Sequence, residues 1–215
     1  MRGDEHIPQV APASSLDFLL RLFQRVVHDV ELRAKSPADG SMVDRIFTHS
    51  LGDVVEFVTK NAGANIFFGV ATRQGGGGKK ENCREVAALW CDADFKNSSE
   101  ADVWRRVKAF SPKPSIIVAS GNGVHLYWLL RSPVPAQAEV IEPILRGLAR
   151  ALGGDGKSAE MARVMRLPGT LNHKYRPPRL SDVVHMSEQR CRLEDFADQP
   201  SRQPAAAPDD SAHQN

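Results

Sequence analysis

Residues 87–96 (AALWCDADFK) constrain the fold of this 215-residue chain more than any other stretch. The apolar run at residues 87–91 predicts a buried β-strand. Because alternate side chains of a strand share a face, Asp92 and Asp94 are expected on the same face, roughly 6–7 Å apart along the chain. Two carboxylates placed in this way can bind a pair of divalent cations. The alternative is a strand that simply ends in two solvated acids.

The composition is that of a globular chain with one main domain. It is 41% hydrophobic and 25% charged. No apolar stretch approaches the roughly 20 residues that a membrane helix needs, and the first 15 residues lack a signal-peptide pattern, so we expect a cytoplasmic protein with no membrane partner. The cysteines at positions 83, 91 and 191 lack the paired spacing of a zinc site or a disulfide framework. The net charge of +2 neither requires nor excludes nucleic acid, because a local basic patch decides that question.

Hydrophobic periodicity predicts an N-terminal helical segment over residues 1–63 that packs on a core over residues 64–198. A first helix is expected to begin at Ser14 or Ser15 and to end near Pro37, because apolar side chains recur there at intervals of three and four residues. A second helix is expected over residues 52–61. Residues 199–215 are rich in Pro, Ala, Ser and Asp, which predicts a disordered tail or a linker.

The core alternates between strand and helix patterns, which predicts an α+β fold with a mixed or antiparallel sheet. The strands are expected at residues 65–73, 87–94, 115–120, 123–131, 163–167 and 181–186, and the helices at residues 98–110 and 135–152. Four glycines at positions 75–78 precede two lysines, but Glu81 follows them where a phosphate-binding P-loop needs Ser or Thr. We therefore interpret this segment as a flexible loop and take Arg73, at the end of the preceding strand, as the better candidate for a site residue.

Residues 120–128 (SGNGVHLYW) predict a tight β-hairpin. Asn122 and Gly123 between two apolar runs favour a two-residue type I′ turn, which would pair Ser120 directly with His125. A Ser–His pair could serve nucleophilic catalysis, but the Gly-x-Ser-x-Gly elbow is missing and no acid is placed to orient the histidine. A hydroxyl, an imidazole and glycine N–H groups are better suited to recognise a phosphate. A purely structural His125 at a sheet edge is the alternative.

The segment at residues 153–174 adds an acid and several bases. Asp155 lies between glycines and is the natural third carboxylate for a metal site, with Glu160 as its competitor. Arg166 and Lys174 are expected to face the aspartates as partners of a triphosphate. Arg163 would face the opposite way from Arg166 on a regular strand, so only one of the two is expected to enter the site.

These motifs occur in a recognisable order. A strand ending in Asp-x-Asp, then Ser-Gly-Asn-Gly-Val-His (residues 120–125), then Asp155 before Arg-Leu-Pro-Gly-Thr-Leu-Asn-His-Lys (residues 166–174) resembles the archaeo-eukaryotic primase superfamily. Within it, the chain most resembles the primase-polymerases of plasmids, phages and mobile elements, which include plasmid RepB-type primases, and the resemblance covers residues 65–185. It implies an RRM-like sheet with flanking helices, so that residues 64–198 would form a primase-polymerase catalytic core.

The resemblance also implies a nucleotide site with divalent metal. Asp92, Asp94 and Asp155 would hold Mg²⁺ or Mn²⁺. The incoming nucleotide would be contacted by Ser120, His125, Arg166 and Lys174, with Arg73 as a further candidate. The zinc-binding module of some relatives is absent from this sequence.

The activity implied is template-directed nucleotidyl transfer from nucleoside triphosphates, for primer synthesis or extension in DNA replication. The expected partners are a single-stranded DNA template with its primer, and a replicative helicase or another replication protein. Two other functions could use the same residues. One is a metal-dependent nuclease, and the other is a non-catalytic replication protein that binds nucleotide or DNA.

Overall fold

The structure is a computed structural model that describes residues 10–198. Its helices are α1 (Pro12–Phe23), α2 (Leu51–Lys60), α3 (Glu100–Ala109) and α4 (Ala138–Leu152). Its strands are β1 (Val30–Lys35), β2 (Met42–Thr48), β3 (Asn65–Gly69), β4 (Ala71–Arg73), β5 (Cys83–Asp94), β6 (Ile116–Ala119), β7 (Gly123–Pro135), β8 (Val164–Arg166), β9 (Leu171–Asn172), β10 (Arg179–Leu180) and β11 (Asp182–Met186). Short 3-10 helices lie at Lys80–Asn82, Gly156–Ser158 and Leu193–Phe196.

The strands form two main antiparallel sheets, which confirms the predicted α+β class. The N-terminal sheet has four strands in the order β2-β1-β3-β8. The central sheet has five strands in the order β11-β6-β7-β5-β4. Strands β9 and β10 form a separate two-stranded ribbon. The helices α2, α3 and α4 follow the predicted segments to within a few residues.

Aromatic side chains join the two sheets to α1. Phe18 on α1 packs edge-on against Phe68 of the N-terminal sheet, with the ring centroids 5.1 Å apart. The same ring meets Tyr127 of the central sheet at 5.4 Å. All three side chains are buried, so one continuous core runs from α1 through both sheets. Within residues 10–198, none of the helices has both the length and the apolar character needed to cross a bilayer.

The predicted N-terminal helical segment is helical only in part. The first helix ends at Phe23, and residues 30–35 form β1 instead of its continuation. In β1 the apolar Val30, Leu32 and Ala34 alternate with polar residues, and this period of two is the strand pattern. The helical prediction is wrong there because Val27 and Val30 also fit spacings of three and four.

The predicted strand over residues 65–73 is divided between the two sheets. Strand β3 belongs to the N-terminal sheet and β4 to the central sheet, with Val70 between them. Strand β1 pairs with β3, so strand pairing crosses the predicted domain boundary between residues 63 and 64. The predicted tail over residues 199–215 lies outside the described residues.

Candidate active site

The pairing of β5 with β7 places the two predicted aspartates and the predicted histidine on one face of the central sheet. Asp92 lies directly opposite His125, and Asp94 lies opposite Gly123. The Asp92 Oδ1 atom is 3.8 Å from His125 Nε2. On the other side of the imidazole, His125 Nδ1 is 3.4 Å from the Tyr127 hydroxyl. The four cross-strand pairs from Ala88–Leu129 to Cys91–Leu126 next to these residues are all buried and pack this register into the core.

Burial disfavours the charged form of His125. Its side chain is only 6% exposed. Burial lowers the pKa of His125, and the charges of Arg166 and Arg163 lower it further, while the charge of Asp92 only partly opposes them. A neutral imidazole offers one N–H donor and one acceptor, so His125 can donate to a phosphate oxygen without carrying a charge of its own.

The hairpin between β6 and β7 has a different register from the predicted one. His125 pairs with Val118, not with Ser120, and the Ser120 N–H donates to the Gly123 carbonyl at 3.0 Å. The two loop residues are therefore Gly121, with a φ of 112°, and Asn122. Ser120 still shares the face of His125, as a diagonal neighbour, because alternate residues of a strand point the same way.

Gly123 is the first residue of β7, and it occupies a position where no side chain would fit. A Cβ atom at this position would clash with the carbonyl oxygen of Ala93 and would lie 2.9 Å from the Cα atom of Asp94. Both contacts are to backbone, which cannot move aside cheaply. The close approach of β7 to β5 beside Asp94 therefore depends on this glycine.

We expect Gly123→Ala to weaken both the fold and the site. The forced separation of β5 and β7 should lower the free energy of unfolding by about 1–3 kcal/mol. Displacement of Asp94 should lower nucleotide incorporation by about 10–100-fold. Urea unfolding and an incorporation assay measure the two effects. Gly63→Ala is the matched control, since a Cβ atom there meets nothing within 4 Å. Equal behaviour of the two variants would contradict the packing argument.

Arg163 is a site residue that the sequence analysis missed. Its Nη2 atom lies 3.4 Å from Asp92 Oδ2. Its Nε atom is buried and has no hydrogen-bond partner among the described residues. Arg163 precedes β8, so the alternation of a regular strand does not apply to it. The structure places Arg163 against Asp92, whereas Arg166, the arginine that the sequence analysis preferred, donates to Asn65 Oδ1 and to the Leu171 carbonyl.

Arg166 and Lys174 line one cavity of about 350 Å³ at the edge of the N-terminal sheet. Arg166 is half-buried, donates to Asn65 Oδ1 at 2.9 Å, and has its pKa lowered to about 10 by burial. Lys174 is exposed, and its backbone N–H donates to Asn172 Oδ1. The Asn172 side chain also donates to the Ser120 carbonyl at 2.8 Å, which ties this segment to the hairpin.

The backbone of Asp155 is hydrogen-bonded to the backbone of Asp92. Its N–H donates to the Asp92 carbonyl at 2.7 Å, while its carboxylate accepts from the Lys157 N–H and caps the 3-10 helix Gly156–Ser158. Its competitor Glu160 is exposed. Across residues 10–198, no three His, Cys, Asp or Glu side chains are grouped closely enough to hold a metal ion. The identity of a third acid stays a prediction.

The donors that are present suit Mg²⁺ or Mn²⁺. Asp92 and Asp94 supply carboxylate oxygens from one face of β5. Mg²⁺ in phosphoryl-transfer sites is commonly bound by one or two carboxylates together with substrate phosphates and water, so a complete protein cage is not required. The two aspartates therefore fit a metal that is shared with a triphosphate.

Arg73 is not a nucleotide ligand, so that prediction is wrong. Its side chain is fully buried and forms an ion pair with the equally buried Glu31, with Arg73 Nε 3.2 Å from Glu31 Oε2. Its Nη atoms donate to the Ala71 and Ala162 carbonyls. Because Glu31 lies on β1 and Arg73 on β4, this pair joins the two sheets. The sequence could not reveal it, since the partner lies 42 residues away.

Comparison with solved structures identifies the fold. The chain is similar to the AEP (archaeo-eukaryotic primase) domain of the cyanophage S-2L primase-polymerase, with a TM-score of 0.67 and 21% identity over 88% of this chain and 98% of that chain. It is also similar to primase RepB′, with a TM-score of 0.62 and 16% identity over 86% and 62% of the two chains. The catalytic domain of RepB′ in complex with initiator DNA gives a TM-score of 0.58 and 14% identity over 86% and 95%.

Comparison by sequence is weaker. A replication protein from Clostridium perfringens is 26% identical over an alignment of 105 residues, and the match covers 44% of this chain. The chain spans about a quarter of the length of that curated relative. No family model matches the sequence. The structural likeness and the order of the motifs agree, and the chain has the fold of the AEP domains of primase-polymerases.

Proposed function

We propose that this chain is a DNA primase-polymerase domain that transfers nucleotides from nucleoside triphosphates to a primer on a single-stranded DNA template. One observation carries the proposal: Asp92, Asp94 and His125 share one face of the β5–β7 pair, with Arg163 against Asp92, in a chain with the AEP fold. A solvated strand end would need neither the histidine opposite it nor the arginine beside it.

In this proposal the acidic residues of the site bind the metal, and the basic and hydroxyl groups bind the phosphates. Asp92 and Asp94 would hold the divalent metal, which when bound supplies Lewis-acid activation of the primer hydroxyl and charge neutralisation at the leaving pyrophosphate. The neutral His125 would donate its N–H to a phosphate oxygen. Phosphate charge would be balanced by the guanidinium and ammonium groups of Arg163, Arg166 and Lys174, and the Ser120 hydroxyl lies on the same face.

Desolvation strengthens these interactions. The imidazole of His125 and the Nε atom of Arg163 are both buried, and the Nε atom lacks a partner among the described residues. A buried donor without a partner carries the full cost of its desolvation, so the Arg163 Nε atom would gain stability from an oxyanion brought within its reach beside Asp92.

The test is an incorporation assay on single-stranded DNA with a labelled primer, each nucleotide pool, and Mg²⁺ or Mn²⁺. Primer extension with pyrophosphate release is the expected result. Loss of labelled DNA in the absence of triphosphate would instead identify a nuclease. Nucleotide or DNA binding with no turnover in either metal would identify a non-catalytic replication protein. A helicase or another replication protein is proposed as a further partner, and recovery of none in a pull-down would contradict that part.

A further inference from the structure

The outer face of the N-terminal sheet carries a row of basic and aromatic side chains. Strand pairing aligns Arg45 of β2 with Arg33 of β1, Arg33 with Phe67 of β3, and Phe67 with Arg166 of β8. Directly paired residues of antiparallel strands lie on the same face. At about 4.8 Å between strands, this row is roughly 14 Å long. The basic sheet face is the surface formed by this row together with Lys35 and Phe47.

This face is partly open, while the opposite face of the sheet is closed. The Arg45 side chain is 31% exposed, and the Arg33 side chain is 17% exposed and donates to the Gly78 carbonyl. Leu32, Ile66 and Phe68 point the other way and are fully buried in the core. Residues of the basic sheet face are only half-buried. A sheet with one packed face is expected to turn polar residues to water, but here these residues are cations interleaved with aromatic rings.

The cations are positioned on the rings. The guanidinium carbon of Arg45 lies 4.7 Å from the Phe47 ring centroid, and that of Arg166 lies 4.8 Å from the Phe67 ring centroid. Lys35 Nζ lies 5.9 Å from the same Phe67 ring. Aromatic rings and guanidinium planes stack on nucleic-acid bases, and the cations attract the phosphates between them.

Buried Glu31 organises this surface without neutralising it. Arg33 Nε lies 2.5 Å and Arg45 Nη2 lies 2.7 Å from Glu31 Oε1, while Arg73 takes the other carboxylate oxygen. Three guanidinium groups thus share one carboxylate, and the cluster has a net charge of +2. Excess positive charge held in fixed geometry is suited to a polyanion.

The basic sheet face leads into the candidate active site. Arg166 ends the row on β8, and Arg163, which immediately precedes β8, lies 3.4 Å from Asp92 Oδ2. Lys35, Phe67 and Arg166 also line the cavity that contains Lys174, where Asp39 is the one acidic residue among the lining side chains. A strand lying along the row would therefore reach the Asp92–His125 face at its β8 end.

We propose that the basic sheet face binds single-stranded DNA and guides it to the active site, an inference that rests on the proposed function. The Lys35→Ala, Arg45→Ala double variant tests it by fluorescence anisotropy with a labelled single-stranded oligonucleotide, without metal or triphosphate. We expect the dissociation constant to rise about tenfold at 0.1 M salt. The slope of log affinity against log salt should become shallower by about 1.4, since each lost phosphate contact removes about 0.7.

The matched control is the Arg105→Ala, Lys108→Ala double variant, which removes the same charges from exposed positions on α3. It should bind as the wild type does. Equal weakening in both double variants would overturn the inference, as would equal weakening of binding to single-stranded DNA and to a blunt duplex. Lys35→Glu alone, which breaks no ion pair with Glu31, should weaken binding severalfold, and unchanged binding would also overturn the inference.

Binding and turnover separate this inference from the proposed function. If the wild type extends primers while the Lys35→Ala, Arg45→Ala variant binds DNA normally, the inference fails and the proposed function stands. If the wild type shows no turnover while that variant loses DNA affinity, the proposed function fails and the binding surface stands.

Discussion

Replacing both Asp92 and Asp94 by alanine should lower nucleotide incorporation by at least about 10³-fold. The two carboxylates share one face of β5, and Asp92 lies 3.8 Å from His125 Nε2 and 3.4 Å from Arg163 Nη2. Their loss would remove the metal donors and leave the basic groups unopposed. The rate of a single turnover at saturating triphosphate is the appropriate measurement, because it isolates chemistry from product release.

The same variant should bind single-stranded DNA without metal at least as tightly as the wild type does. The substitutions remove two negative charges, which repel DNA, and leave the neighbouring cations in place. Glu56→Ala with Glu139→Ala is a matched control, because both side chains are exposed on helices. Asp155→Asn separates the two roles of that residue. A ligand role predicts lost incorporation, whereas a purely capping role predicts nearly unchanged incorporation and stability, because Asn caps a helix about as well as Asp. Incorporation retained by the Asp92, Asp94 variant would refute the metal assignment.

Glu31→Ala should lower the free energy of unfolding by about 3–5 kcal/mol. Arg73 is fully buried, so this change leaves its charge without a counterion in the interior. Arg33 and Arg45 would also lose their shared carboxylate and repel each other. Urea unfolding followed by circular dichroism gives the free energy. A loss below about 1 kcal/mol would contradict the buried-pair argument.

The pH dependence of stability reports on the same residue. Burial raises the pKa of Glu31, but the hydrogen bond and charge of Arg33 and the charges of Arg73 and Arg45 outweigh it, so the pKa lies below its ordinary value of 4.5. The unfolded state therefore takes up a proton first, and this stabilisation is present above pH 4.5 and lost as the pH falls through the folded pKa. Glu31→Ala should remove that component. Glu31→Leu with Arg73→Met should recover much of the stability.

Local pattern was enough to predict much of this molecule. The strand ending in Asp92 and Asp94, the helices α2 to α4 and the hairpin each have their determinants within a few neighbouring residues. The pairing of β5 with β7, which brings Asp92 and His125 to one face, joins strands that α3 and β6 separate in the chain, and no local pattern specifies it.

Other features depend on contacts that are distant in sequence. The hairpin turn could use either Gly121 or Gly123 at a special position, and the choice is made by the backbone of β5. The assignment of Arg73 to the nucleotide failed because the Arg73 side chain is buried in an ion pair with Glu31 of β1. Arg163 was missed because its approach to Asp92 depends on a turn before β8 whose direction no local pattern specifies.

The order in which the strands join the two sheets has a consequence for folding. The chain builds three strands of the N-terminal sheet, leaves it to form β4 to β7, and returns with β8 before adding β11 to the central sheet. On a ribosome, the edge of β3 would therefore stay unpaired until β5 and β7, which carry Asp92 and His125, had been synthesised. Neither half should fold when expressed alone from a contiguous fragment, and the whole should melt in one cooperative transition.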